Sequence, residues 1–394
     1  MTRLLLNWNK GLVMSKLEEL IQQYCPDGVE YHMIGEIAQV GTGSSNGNEA
    51  EDDGIYPFFI RSQTIKRKND YEYDEEAIII PGEGGIGDIF HYINGKYALH
   101  QRVYRIHFTT PSVNVKFAFY YMGSAFKQFI LKKAVSATVT SIRKPMIEGF
   151  EIPIPPLPVQ EEIVRVLDTF TELQAELQAE LQKRLQQYNY YRDNLLSFEG
   201  RTDVEWKKLG EIGKVCMCKR IMKDQTSSSG DVPFYKIGTF GGDADAFISK
   251  ELFEEYKNKY SYPNKGDILI SAAGTIGRTV VFDGKASYFQ DSNIVWLKHN
   301  ESVVLNSFLR YCYTQSPWAI STGGTIARLY NDNILNAVIP VPSISEQQRI
   351  VDILDRFDAL TTDLSQGLPA EIEKRRQQYE FYRDKLLTFK RKEA

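Results

Sequence analysis

The sequence predicts an α+β protein built as a tandem pseudo-repeat, two globular modules separated by two long helices that form an antiparallel coiled coil. Three observations predict it. RLQQYNYYRDNLLSF at 184–198 returns, with ten of fifteen letters identical, as RRQQYEFYRDKLLTF at 375–389. IPIPPLPVQEEIVRVLDTF (152–170) is answered by IPVPSISEQQRIVDILDRF (339–357), shifted by 187 positions where the tyrosine motif is shifted by 191. The second copy therefore carries four extra residues, near GLPA (367–370). Each repeated tract also follows a stretch of short β-branched and aromatic runs, opened by VEYHMIGEI (29–37) in one half and VEWKKLGEI (204–212) in the other. An internal repeat of this length governs every other assignment. The expected organisation is an N-terminal extension and short helix at 1–28, a first module at 29–151, a first arm at 152–199, a second module at 200–338 and a second arm at 339–394.

With 394 residues the chain can hold two or three domains, each burying its own core. A net charge of −4 announces no global basic field, so a nucleic-acid surface would have to be a local patch. The cysteines are Cys25, Cys216, Cys218 and Cys312, without a second Cys/His pair at zinc-finger spacing. They read as reduced thiols of a cytoplasmic protein. No apolar run approaches the ~18–20 residues of a membrane span. The opening MTRLLLNWNKGLVM is too short for a secretion signal and lacks a small-residue cleavage site. Met14 begins a more natural opening, MSKLEELIQQYCPDGVEY, so residues 1–13 are expected to have little structural role.

In order, residues 15–24 read as a short helix with Leu17, Leu20 and Ile21 on one side, stopped by CPDG (25–28). YPFFI (56–60), AIII (77–80), YALH (97–100) and VYRIHF (103–108) read as strands, and 113–133 as a helix with Phe117, Tyr120, Tyr121 and Phe129 partly in its core face. The second module keeps that order: VPFYKI (232–237), DILIS (267–271), TVVFD (279–283) and NIVWL (293–297), then a helix over 305–316.

Both arms are helical on periodicity. Ile163, Leu167, Phe170, Leu173, Leu177, Leu181, Leu185, Tyr188 and Leu195 recur at steps of three and four, the seam of an amphipathic or coiled-coil helix. IPIPPLP holds the start back to Val159 or Gln160. In the second arm Ile350, Leu354, Phe357, Leu360 and Leu364 carry the seam, GLPA breaks it, and Ile372, Tyr379, Tyr382 and Leu386 resume. TELQAELQAELQ (171–182) repeats a tetrapeptide, and each unit lengthens a helix by ~6 Å while turning the seam ~40°. It reads as a ruler for module separation, with helix-favouring composition as the plainer account.

Catalytic sets are absent from the sequence. GEGGIG (82–87) fits a dinucleotide fingerprint, but DIFHYINGKYALH after it is a β pattern, and the equivalent SAAGTIG (271–277) lacks the fingerprint. A tight β-connection is the expected role. The five histidines, His32, His91, His100, His107 and His299, form no metal spacing. What remains is binding chemistry. Basic clusters occur at Lys66, Arg67 and Lys68, at Lys127, Lys132 and Lys133, at Arg143 and Lys144, and at Lys214, Lys219, Arg220 and Lys223, with Arg278 and Arg328 isolated. Such groups neutralise phosphates, and Gln101, Arg102, Asn114, Gln290 and Asn293 lie close to predicted strands or loops as base readers would.

Taken together, the chain resembles the specificity subunit of type I restriction–modification systems. The resemblance rests on PDGVEY (26–31), GDILIS…GTIGR (266–278), GGTIARLYNDNI (323–334) and the two arm motifs 339–360 and 367–389. The first module departs from it, with GEGGIG for GTIG and VSATVTSIRKPMI for GGTIARLYNDNI. The resemblance implies two target-recognition domains reading an asymmetric, bipartite double-stranded DNA target. It implies two methylation subunits on the arms, motor-nuclease restriction subunits beyond them, and S-adenosylmethionine, ATP and Mg on those partners, with no cofactor, metal or catalytic residue here. Tyr188, Tyr191, Arg192, Tyr382 and Arg383 are the expected partner-facing set, the tyrosines by packing the arms and the arginines by contact. The specificity component of a fused methyltransferase–nuclease system and a protein-only coiled-coil adaptor are the alternatives.

Overall fold

The computed structural model describes residues 10–85, 87–133, 141–320, 327–363 and 366–393. They fall into two compact units, Met1–Gln178 with Glu371–Ala394, and Ala179–Ala370.

The first unit opens with α1 (Lys10–Tyr24), β1 (Tyr31–Met33), α2 (Ile34–Ile37), β2 (Ala38–Thr42), β3 (Tyr56–Phe59), β4 (Lys66–Lys68), β5 (Tyr73–Pro81), β6 (His91–Leu99) and β7 (Val103–Phe108). Then come α3 (Val115–Lys133), α4 (Lys144–Glu148), β8 (Glu151–Pro153) and the long helix α5 (Leu157–Ser197). Six strands form one sheet in the order β2-β7-β5-β6-β3-β4, antiparallel except for the parallel pair β3–β6. The run AIII is apolar throughout because the sheet is covered on both faces. Ile78 and Ile80 face α3, through Ala118, Met122 and Phe126, while Ala77 and Ile79 pack with Phe59, Tyr97 and Leu99. GEGGIG lies in the connection between the antiparallel strands β5 and β6, not at the start of a helix, as its β surroundings require.

α1 begins five residues earlier than the periodicity suggests, since nothing in KGLVM breaks a helix beyond one tolerated glycine. Its end is as expected. Cys25 closes the last turn onto the Ile21 carbonyl at 2.9 Å, and Gly28 takes φ +105°. A Cβ on Gly28 would stand 2.7 Å from the Lys390 carbonyl oxygen. Gly28→Ala is therefore expected to cost about 1–3 kcal/mol, read as a lower denaturation midpoint for the first unit.

The second unit repeats the frame with β9 (Glu205–Lys208), α6 (Leu209–Ile212), β10 (Gly213–Met217), β11 (Val232–Tyr235), β12 (Phe247–Ile248), α7 (Lys250–Lys259), β13 (Ile268–Ser271), β14 (Thr279–Val281), β15 (Tyr288–Phe289) and β16 (Ile294–His299). It continues with α8 (Asn306–Thr314), α9 (Asn331–Leu335), β17 (Val338–Val341) and α10 (Ile344–Thr362), and α11 (Leu368–Leu386) follows. Here the sheet is split into β10-β16-β13-β14 and β12-β11-β15, because 282–287 interrupts what is the single strand β6 in the first module. Each module is closed by a strand pair joining its beginning to its end, β1–β8 and β9–β17.

α5 starts two residues before the expected point. Pro158 occupies its first turn, where no N–H is needed for the helical ladder. In the first unit, Glu151 meets Arg391 at 2.7 Å and Phe170 stacks on Tyr382 at 5.5 Å, so α5 and α11 run antiparallel. In the second, Arg201 reaches Glu346 at 3.4 Å and Tyr191 stacks on Phe357 at 5.4 Å, so α5 and α10 do the same. The seam is deepest at Ile163, Leu167, Phe170, Ile350 and Leu354, half-buried at Leu173, Leu181 and Leu185, and exposed at Leu360. Leu364 lies outside the described residues. The expected break falls between α10 and α11, where a Cβ on Gly367 would stand 2.7 Å from the Ala359 and Asp363 carbonyl oxygens.

One buried amide ties each arm to its module. Gln160, fully buried, accepts the Asn114 N–H at 2.8 Å and donates to the carbonyls of Ser112 (2.8 Å) and Pro155 (2.6 Å). Gln347 does the same with the Leu305 N–H (2.9 Å) and the carbonyls of Val303 (3.0 Å) and Pro342 (2.9 Å). A tyrosine from each module then donates to an arm carboxylate, Tyr120 to Asp168 and Tyr311 to Asp355.

Candidate nucleic-acid interface

The two modules pair equivalent strands in the same register, which fixes where their candidate reading residues correspond. Phe58–Phe59 lies parallel to Ala98–Leu99, as Phe234–Tyr235 does to Tyr288–Phe289. The next residue donates back in both, His100 to the Phe59 carbonyl at 3.0 Å and Gln290 to the Tyr235 carbonyl at 2.9 Å. Gly82 N–H meets the Arg102 carbonyl at 2.9 Å, and Ala272 N–H meets that of Asn293 at 2.7 Å. His100 and Gln290 are therefore equivalent, as are Gly82 and Ala272, and Glu83 corresponds to Ala273.

In the second module this place is an open cleft of about 490 Å³. Arg220, Lys223, Gln290 and Asn293 line it together with Lys236, Thr226 and Asp291. Four of the expected DNA-binding residues thus converge, from the segment after β10 and the turn after β15. Arg220 Nε is 2.8 Å from Asp291, which aims the guanidinium across the mouth. Gln290 accepts the Ile237 N–H at 2.9 Å, a bond that fixes the amide's orientation. Arg328 stands at the rim, donating to the Ser292 carbonyl at 2.7 Å. Lys219 lies 5.3 Å from the centre of the Tyr260 ring. Arg278 is exposed but does not line the cleft; it lies beside Gly241, whose Cβ would be 3.2 Å from the guanidinium.

The first module's cleft, about 290 Å³, is lined by Gly47, Ile60, Arg61, Glu83, Gly84 and His100. None of the residues expected there from sequence lines it directly. Arg102 borders it through Glu83, at 3.0 Å, and Gln101 donates to Asn46 at 2.8 Å. Lys68 is drawn inward, bonding Ser45 Oγ at 2.9 Å and Glu49 at 2.7 Å, which holds the Glu49 carboxyl below its ordinary range and the lysine above its own. Lys66 and Arg67 line a separate cleft with Pro57, Phe59, Ile65, Tyr92 and Ile93, and Arg67 donates to the Ile55 carbonyl at 2.9 Å. Arg143 precedes α4 on extended backbone, exposed, and Lys144 pairs with Glu148 at 3.5 Å. Asn114 is not surface chemistry either: its side chain accepts the Phe117 N–H at the start of α3. Sequence reasoning missed Arg61, Glu83, His100 and Lys236. Aligning the halves on the last residue of ALH and YFQ would have found His100.

The repeated tyrosine motifs pack within each unit. Tyr191 stacks on Phe357 and Tyr382 on Phe170, and Tyr188 is half-buried. The arginines are engaged along their own helices, Arg192 over the Tyr188 ring at 5.6 Å and on Asp193, Arg383 over Tyr379 at 5.9 Å and on Asp384. Aromatic side chains of the motifs are exposed instead, Tyr190 at 66% and Phe381 at 64%.

All four cysteines are buried free thiols, and burial pushes Cys218 up to about 12, which keeps it protonated. Among the described residues no group of three His, Cys, Asp or Glu side chains is placed to hold a metal ion, and no helix is long and apolar enough to cross a membrane.

Comparison with known proteins identifies the frame. The profile of the type I restriction modification DNA specificity domain matches twice, over residues 26–187 and 202–374. The chain belongs to that family. A Haemophilus influenzae protein named among the type I restriction enzyme specificity subunits is 46% identical over 348 residues, covering 85% of this chain and 89% of that one. The EcoR124I/EcoR124II specificity subunit of Escherichia coli is 35% identical over 267 residues, covering 62% of this chain and 64% of its own. The crystal structure of a type I restriction–modification S subunit from M. genitalium shares the fold, with a TM-score of 0.57 at 17% identity over 91% of this chain and 95% of that one. Type I specificity subunits recognise DNA without performing chemistry, and two specificity domains in tandem fit a target in two parts. The repeat that organises the sequence is thus the repeat of the specificity domain itself.

Proposed function

We propose that this chain gives a type I restriction–modification complex its DNA sequence, each module reading one half-site of an asymmetric, interrupted target. The observation that supports this most strongly is the pair of clefts: one frame, equivalent places, different side chains. Arg220, Lys223, Gln290, Asn293 and Arg328 serve the second half-site, with Lys219 and Arg278 on flanking phosphates. Arg102, Gln101, Lys66, Arg67, Arg143 and Lys144 contribute to the first, with Lys68 holding the loop around Ser45. Two methylation subunits dock on the arms near the tyrosine motifs and bring S-adenosylmethionine and adenine methylation. Restriction subunits add ATP- and Mg-dependent cleavage, all in the cytoplasm. The arms set the unread spacer.

Single-molecule sequencing of a methyl-free host expressing this chain with its methylation subunit tests the reading. A methylated, interrupted, asymmetric motif that vanishes when this chain is omitted is expected. Absence of any motif, with both proteins expressed and associated, would reject it. Within the same system Arg220→Ala is expected to weaken duplex binding by about tenfold or more if the arginine reads a base. If it contacts only a phosphate, the slope of log affinity against log salt falls by about one instead. Unchanged affinity and slope would remove Arg220 from the interface.

A further inference from the structure

The first module's cleft carries a carboxylate, Glu83, at a place where its twin has none, the twin's own carboxylate being Asp291, after β15. Glu83 is 37% exposed at the mouth, where the equivalent residue of the second module is Ala273. The frame therefore forms without a charge at this position. Arg61 Nη1 donates to Glu83 at 2.9 Å, and Arg102 Nη1 donates at 3.0 Å. With these two guanidinium groups on it, the carboxyl stays below its ordinary range and ionised. Exposed ion pairs of this kind add little to stability, so folding does not account for the arrangement.

The setting is built rather than casual. Gly82 is fixed on both sides, its N–H on the Arg102 carbonyl at 2.9 Å and its carbonyl on the Ile142 N–H at 2.7 Å. That anchors the main chain one residue from the carboxylate. His100, 6% exposed, accepts the Arg102 N–H on Nδ1 at 3.0 Å, so its neutral ring carries the proton on Nε2. That nitrogen faces Gly47, whose Cβ would be 4.0 Å away, and burial together with the two arginines keeps the ring neutral. The cleft thus offers one pure acceptor, one fixed N–H donor and two cations.

We infer that Glu83 is a base-reading residue of the first module, accepting a hydrogen bond from the exocyclic amino group of a base, adenine N6 or cytosine N4, in the major groove. An ionised carboxylate only accepts, so the keto oxygens of guanine and thymine are repelled at that position. In the free protein Arg61 and Arg102 neutralise the carboxylate. On DNA the flanking phosphates take the two arginines and leave Glu83 to the base edge. The inference rests on the DNA-reading function proposed above and adds the chemistry of one position.

The test is Glu83→Gln in the full chain, co-expressed with its methylation subunit and read by single-molecule sequencing. The amide both donates and accepts, so one base pair of one half-site is expected to lose about tenfold or more of its discrimination between amino and keto bases. The other half-site and the spacer stay as they are. Arg61→Gln, in contrast, is expected to weaken matched and mismatched duplexes alike. A Glu83→Gln motif identical to the wild type in every position overturns the inference, as does an Arg61→Gln variant that changes the half-site while Glu83→Gln does not. If the wild-type complex itself yields no interrupted motif, the proposed function fails first and for a different reason. Competition with duplexes bearing adenine or cytosine at the affected position then separates the two amino-bearing bases.

Discussion

Replacing Gln160 by leucine is expected to remove about 3–5 kcal/mol from the stability of the first unit, an effect comparable to losing a core side chain. The amide is fully buried and partners three main-chain groups: one N–H, at Asn114 in the approach to α3, and two carbonyls, at Ser112 and Pro155 in the segments entering α3 and α5. Leucine fills much the same volume but bonds none of them, and each buried group left without a partner costs about 1–3 kcal/mol. Glutamate is no remedy, since an ionised carboxylate keeps the Asn114 bond, cannot donate to either carbonyl, and would bury a charge. Gln347→Leu should do to the second unit what Gln160→Leu does to the first, because its three bonds are the same set. Two units need not unfold together, so one global midpoint is the wrong observable. Hydrogen exchange resolved by peptide is the right one. Gln160→Leu should lower protection at 112–118 and 155–165 while leaving 303–309 at wild-type values. A loss under about 1 kcal/mol would mean that the three backbone groups find other partners.

The latch also shows what the sequence made legible and what it hid. The letters VQEEIV and EQQRIV align at once, so the repeat of Gln160 and Gln347 is visible, but burial of a glutamine at a helix start is not. Periodicity located every strand whose run is long and apolar, such as AIII and VYRIHF, because burial on both faces leaves that pattern in the residues themselves. It missed β1, β2, β4, β8, β9, β12, β15 and β17, each of two to five residues. These short strands are held by the partner across the ladder rather than by their own propensity, and KRK in β4 is the extreme case. α7 was legible and overlooked: Ser249 caps it through the Leu252 N–H, ahead of the amphipathic KELFEEYKNK. At the candidate interface, charge alone was a poor guide. Lys68 is basic and near a strand, yet its ammonium is committed to Ser45 and Glu49. Glu83 is acidic, and its place inside GEGGIG drew attention to the glycines around it instead of the carboxylate between them.

Deleting one tetrapeptide, residues 176–179, is expected to change the DNA that the complex recognises while leaving both half-sites intact. α5 runs unbroken through TELQAELQAELQ, and no proline or glycine interrupts that tract. Removing four residues shortens the helix by ~6 Å and turns everything beyond it by ~40°. Because each unit repeats the same letters, Leu181 takes the position of Leu177 and the local chemistry of the helix is preserved. The second arm can accommodate the change where α10 ends, at Thr362, and α11 begins, at Leu368. Neither cleft contains a residue from this tract, so what each module reads is untouched. If the arms set the spacer, ~6 Å against a rise of ~3.4 Å per base pair is a shortening of one or two base pairs. Inserting one further ELQA should lengthen the spacer by the same amount. Sequencing the methylated motif of the deletion, wild-type and insertion chains side by side gives three spacer lengths with one pair of half-sites. Altered half-sites with an unchanged spacer would show that the tract shapes the modules and measures nothing.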